Sequence, residues 1–70
     1  MQTYKIEIHG KEYTIEVQAD HSYLIRADGI KDFILCPQTS EHGVILSIER
    51  GMASVDLIEN LGVAIEYFEG

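Results

Sequence analysis

The stretch Tyr4-Lys5-Ile6-Glu7-Ile8-His9-Gly10-Lys11-Glu12-Tyr13-Thr14-Ile15-Glu16-Val17 decides the fold class. Apolar side chains fall at Tyr4, Ile6 and Ile8 and again at Tyr13, Ile15 and Val17, with polar residues between them. A period of two sends successive side chains to opposite faces of a strand, so each run reads as a strand with one face inward. The spacing predicts a β-hairpin over 3–18 with Gly10-Lys11 as a type II′ loop, because Gly suits its first central position. That loop sets Ile8 opposite Tyr13, Ile6 opposite Ile15 and Tyr4 opposite Val17, with Lys5 opposite Glu16 on the other face. A slip of one residue would turn one apolar set to water, so the facing is well specified.

Beyond this hairpin the polar run Ala19 to Ser22 is a connection, and a second hairpin is expected over 22–36, turning at Asp28-Gly29. The rival for the same stretch is a helix over 22–33, capped by Ser22, with Tyr23, Ala27, Ile30 and Ile34 at helical spacing. Gly29 in its interior costs about 1 kcal/mol relative to Ala, which favours the hairpin. Pro37 has no N–H to donate and is expected to end the ladder, followed by a polar loop over 38–43. A strand over 43–49 comes next, with Val44, Leu46 and Ile48 on one face. Met52, Val55, Ile58 and Leu61 recur every third residue and favour a short helix over about 52–61, with Gly62 placed to end it; the alternative is a strand after a turn at Arg50-Gly51, pairing Ile48 with Ala53 and Leu46 with Val55. A last strand is expected over 63–68. The fold class is therefore α+β and mainly β: a small twisted antiparallel sheet of five to six strands with one short helix, in one domain over 1–70, with an all-β small barrel as an alternative.

Met1-Gln2, Gly10-Lys11, Thr14 and Glu16-Val17 resemble the opening hairpin of ubiquitin. The resemblance implies a β-grasp order if 22–33 is helical. The apolar set Tyr4, Ile6 and Ile8 is shifted from ubiquitin's pattern, and Phe68-Glu69-Gly70 lacks the diglycine of a conjugated modifier, so no function is carried over.

The chain has five Lys+Arg against twelve Asp+Glu, a formal net charge of −7. Lys5, Lys11, Arg26, Lys31 and Arg50 are scattered singly, and neutralising a phosphate backbone needs clustered cations, so direct nucleic-acid binding is not expected. One cysteine, Cys36, excludes an intrachain disulfide. The N-terminal residues lack a signal-peptide apolar region, and the longest uninterrupted apolar run is Phe33 to Cys36, so a soluble, cytoplasmic protein without membrane contact is expected.

No residue pattern carries chemistry. His9, His21 and His42 with Cys36 match no ligand spacing, so no metal and no cofactor are expected. Cys36, among apolar neighbours and before a proline, reads as a buried structural thiol rather than a nucleophile. Glu7, Glu12 and Glu16 share the outer face of the first hairpin, where they guard a strand edge rather than form a paired acid and base. No catalytic residue is assigned and no enzyme is expected.

The informative oddity is a set of apolar neighbours: Leu24-Ile25, Ile34-Leu35, Ile45-Leu46 and Tyr67-Phe68. In strands each pair puts one apolar group on each face, and the second face needs a cover. The expected function is a non-catalytic protein–protein interaction module, a homodimer using Leu24, Ile34, Ile45 and Phe68. The alternative is an acidic inhibitor that mimics nucleic acid and occupies the basic groove of a nucleic-acid-binding protein.

Overall fold

The computed structural model describes residues 2–41 and 43–69. Five strands run β1 (Thr3–Ile8), β2 (Lys11–Val17), β3 (Tyr23–Arg26), β4 (Phe33–Ser40) and β5 (Gly43–Arg50), followed by helix α1 (Val55–Glu69). The strands form one antiparallel meander in the order β1-β2-β3-β4-β5, and α1 covers one face. The chain is thus mainly β with one C-terminal helix. The β-grasp alternative fails because 22–33 holds β3 and the turn after it rather than a helix.

The first hairpin forms with the expected faces and a different register. Ile8 pairs with Lys11, Ile6 with Tyr13 and Tyr4 with Ile15, so Lys5 lies opposite Thr14 rather than Glu16. The loop is His9-Gly10, with φ of 51° and 78°. Two successive positive φ values make a type I′ turn, whose twist matches the strands it joins. The displacement from the expected register is two residues, which leaves every side chain on its own face.

The register builds two apolar rows across the sheet. Tyr4, Ile15, Ile25 and Phe33 are successive cross-strand partners, as are Val17, Tyr23, Leu35 and Ile48. Ile15, Ile25, Leu35 and Leu61 are fully buried and Phe33 nearly so, with Ile65 of α1 packed among them. The helix backbone comes closest to the two edge strands, β1 and β5, so the sheet curls around α1. That curl lets one helix seal the core of a chain this small.

The second hairpin has a longer turn than Asp28-Gly29 alone, spanning residues 27–32 between β3 and β4. Arg26 closes it, with Nε 3.4 Å from Asp32 and Nη2 3.6 Å from Glu16. Pro37 does not end the ladder: it pairs with Leu46, and β4 runs on to Ser40. The β3 ladder stops at Leu35, so Pro37 has a strand on one side only, a position where a missing N–H is tolerated. The expected loop over 38–43 is largely strand, since β4 reaches Ser40 and β5 begins at Gly43, and His42 lies outside the described residues.

The largest correction is at the C-terminal end. Residues 63–68 are not a strand but the continuation of α1, and the helix begins at Val55 rather than near Met52. Ser54 caps it: the Leu57 N–H donates to Ser54 Oγ at 3.1 Å, and the Ile58 N–H to the Ser54 carbonyl at 3.0 Å. Met52 and Val55, expected on the core stripe, are exposed. Gly62 does not stop the helix, because Leu61 and Ile65 on either side of it are both buried against the sheet. Packing of a helical face outweighs the propensity penalty of a single glycine.

Gly51 makes the sheet-to-helix passage possible. Its φ is +92°, and a Cβ there would stand 2.7 Å from Cβ of Phe33. The chain leaves β5 pressed onto the start of β4, with room for no side chain.

Candidate interaction surface

Beside the core, α1 and the β5 side of the sheet leave an open groove of about 880 Å³. Its apolar lining includes Pro37, Leu46, Ile58 and Ile65, with Val55 and Val63 at the helix flank. Glu59, Glu66 and Glu69 line it from α1, and among the described residues no Lys or Arg does. The helix itself contains Asp56 and these three glutamates without a single basic residue. Positions 55, 58, 59, 62, 63 and 66 share one flank of a helix with 3.6 residues per turn, which is how apolar and acidic groups come to lie side by side. Exposure of Val55 at 71%, Val63 at 70% and Tyr67 at 90% extends an apolar strip onto the outward side of α1.

β5 borders the groove. Among the described residues it pairs with β4 alone, so one edge keeps unpaired backbone groups. β5 carries its two charged residues, Glu49 and Arg50, only at its end, leaving Gly43 to Ile48 uncharged, whereas β1 has Lys5 and Glu7 within it. Natural sheets blunt their edges with charge, so the Gly43 to Ile48 part of β5 is the less guarded edge.

One end of the groove is closed by a polar cluster. The Tyr4 hydroxyl donates to Glu69 Oε2, and the Tyr23 hydroxyl to Glu69 Oε1 at 3.4 Å. Burial raises the Tyr4 phenol above its ordinary pKa, reinforced by the hydrogen bond to Glu69 and its charge. Burial, then the charge of Glu69 and their hydrogen bond, raises the Tyr23 phenol as well. Both phenols therefore stay protonated as donors at neutral pH.

The expected interface residues divide between two layers. Leu24 and Ile34 are direct cross-strand partners on the face away from α1. Ile45, paired with Gln38 and exposed, stands at the β5 edge and lines the groove. Cys36 lies on the same face as Leu24 and Ile34 and is half-buried rather than buried. Phe68 belongs to the other layer, where it stacks on Tyr4. The structure thus pairs Leu24 with Ile34, sets Ile45 at the groove and places Phe68 in the other layer. The groove itself went unrecognised in the sequence, although the stripe Ile58, Leu61, Ile65 and Phe68 shows that helical spacing continues across Gly62.

His9 and His21 both sit at turns with positive φ, and Asn60 Nδ2 lies 3.5 Å from His9 Nε2. The turn before β3 is built on Ser22, which is buried. Its N–H and Oγ both donate to Asp20 Oδ1, at 3.1 and 2.5 Å, and Oγ lies 2.9 Å from the Gln18 side-chain oxygen. These bonds from Ser22, side chain first, hold the Asp20 carboxyl below its usual pKa. Among the described residues no three of His, Cys, Asp and Glu converge on a metal-sized site. Nor, among them, is any helix long and apolar enough to cross a membrane. Comparison with protein-family models, with curated proteins and with solved structures finds no match to this chain.

Proposed function

We propose that this chain is a non-catalytic protein–protein interaction module that works through the groove between α1 and β5. The observation carrying this reading is the coincidence of the less guarded strand edge with an apolar groove that the chain's own helix leaves open. Exposed apolar strips of this kind mark recognition surfaces, and the acidic flank adds selectivity for what binds. The interleaving of Val55, Val63 and Tyr67 with the helix carboxylates favours a protein partner over mimicry of a nucleic acid, whose backbone is charged without apolar relief. Selection of displayed random peptides against the immobilised protein tests this. Selected peptides are expected to shift the amide resonances of 45–48 and 55–66; peptides that shift only other residues, or no selection at all, would overturn it.

A second reading, self-association, rests on Leu24, Ile34 and Cys36 on the face that α1 does not cover. A two-fold contact there would bring together two chains of −7 each, so salt should tighten it by screening the repulsion. Sedimentation equilibrium at low and high salt decides: a strict monomer at high concentration in both removes the dimer.

A further inference from the structure

Building on the interaction reading of the groove, we infer that its occupant is an extended basic segment of a partner protein, added along β5 as a further strand.

The backbone argues for a strand. The free edge of β5 presents N–H and C=O groups that water satisfies while the groove is open. A helix laid in the groove would cover those groups without pairing them, whereas an extended segment exchanges hydrogen bonds with each. A neighbouring strand sits about 4.8 Å away, and its alternate side chains would point toward the α1 flank at Val55, Ile58 and Gly62. Gly62 has no side chain to stand out from that flank, and Leu46 Cδ1 lies 3.6 Å from where its Cβ would be.

Charge argues for a basic segment. Glu59 and Glu66 stand on the groove flank about 10 Å apart along the helix axis, with no cation lining the groove among the described residues. Residues four apart on an extended strand share a face about 13 Å apart, a span that flexible lysine or arginine side chains adjust to easily. A second copy is the poorer occupant. It would bring its own Glu59 and Glu66 against these, at a combined formal charge of twice −7.

The test uses a nine-residue fluorescent peptide of lysine, valine and threonine, with lysine and valine alternating on one strand face and threonine on the other. Its controls are a twin with glutamate for lysine and a version N-methylated on alternate backbone nitrogens. The lysine peptide is expected to bind at 45–48 and 55–66 by amide shifts, more weakly as salt rises. The glutamate twin and the N-methylated version should each bind about tenfold more weakly or worse. The double variant Glu59→Lys with Glu66→Lys, checked for folding by its melting curve, should reverse the order of the two charged peptides. Equal binding of lysine and glutamate peptides at the groove would overturn the basic partner while leaving the interaction site standing. Equal binding of the N-methylated version would overturn strand addition. If none of these peptides binds although displayed peptides do select the groove, this inference falls alone; if display also selects nothing, the interaction reading falls with it.

Discussion

Tyr4 of β1 and Phe68 in the last turn of α1 stack face to face, with ring centroids 4.0 Å apart and planes within 9°. The contact fastens the first strand to the end of the helix, and Tyr4 continues it by donating to Glu69. A carboxylate in a last helical turn faces the negative end of the helix dipole. The two phenols that donate to Glu69 offset that disadvantage.

Those phenols make the fold sensitive to base. In the unfolded chain a tyrosine loses its proton near pH 10, whereas burial and Glu69 keep Tyr4 and Tyr23 protonated to higher pH in the folded chain. Their contribution is complete below the unfolded value and declines as pH rises past it. The melting temperature should fall above about pH 10, and Tyr4→Phe should make that fall shallower. Thermal melts of both proteins across this range check it; parallel declines would count against the cluster.

Ile15 and Glu16 are neighbours on opposite faces of β2. Ile15 is wholly buried, and Ile15→Ala should destabilise by about 2–5 kcal/mol. Among the described residues Glu16 pairs with Arg26 at the edge of the turn, so Glu16→Ala should change stability by no more than about 0.5 kcal/mol. Urea titrations of the two variants separate them.

The hairpin loop predicts the sign of a conservative change. His9 holds φ of 51° as the first residue of a type I′ turn, where Asn before Gly is preferred. His9→Asn should therefore stabilise by a few tenths of a kcal/mol. If Gly10-Lys11 were the loop, position 9 would lie in a strand, where Asn is disfavoured, and the sign would be the opposite.

Gly51 and Gly62 should respond oppositely to alanine. Gly51→Ala combines a positive φ with a Cβ 2.7 Å from Phe33 and should cost about 2 kcal/mol or more. At Gly62 the added methyl makes ordinary contact with Leu46, so Gly62→Ala should stabilise by about 0.5–1 kcal/mol through helix propensity. Denaturant melts read both.

By itself the sequence determined the two hairpins, the strand after 43 and the apolar side of the first hairpin, but not that β4 runs through Pro37 to Ser40. Alternation has a period of two, and a period of two is blind to a shift of two. Pairing Ile6 with Tyr13 or with Ile15 therefore leaves the same residues inward, and only the backbone of His9-Gly10 decides between them. The C-terminal end depended on tertiary structure for a different reason. Val63 to Phe68 is short and apolar enough for either a strand or a helix, and Gly62 looks locally like a stop. The curled sheet offers a surface that Leu61, Ile65 and Phe68 can reach together only as a helix. The groove came from the same event: Glu59 and Glu66 lie on the element after β5, and the packing of α1 inside the curl is what sets them along its open edge.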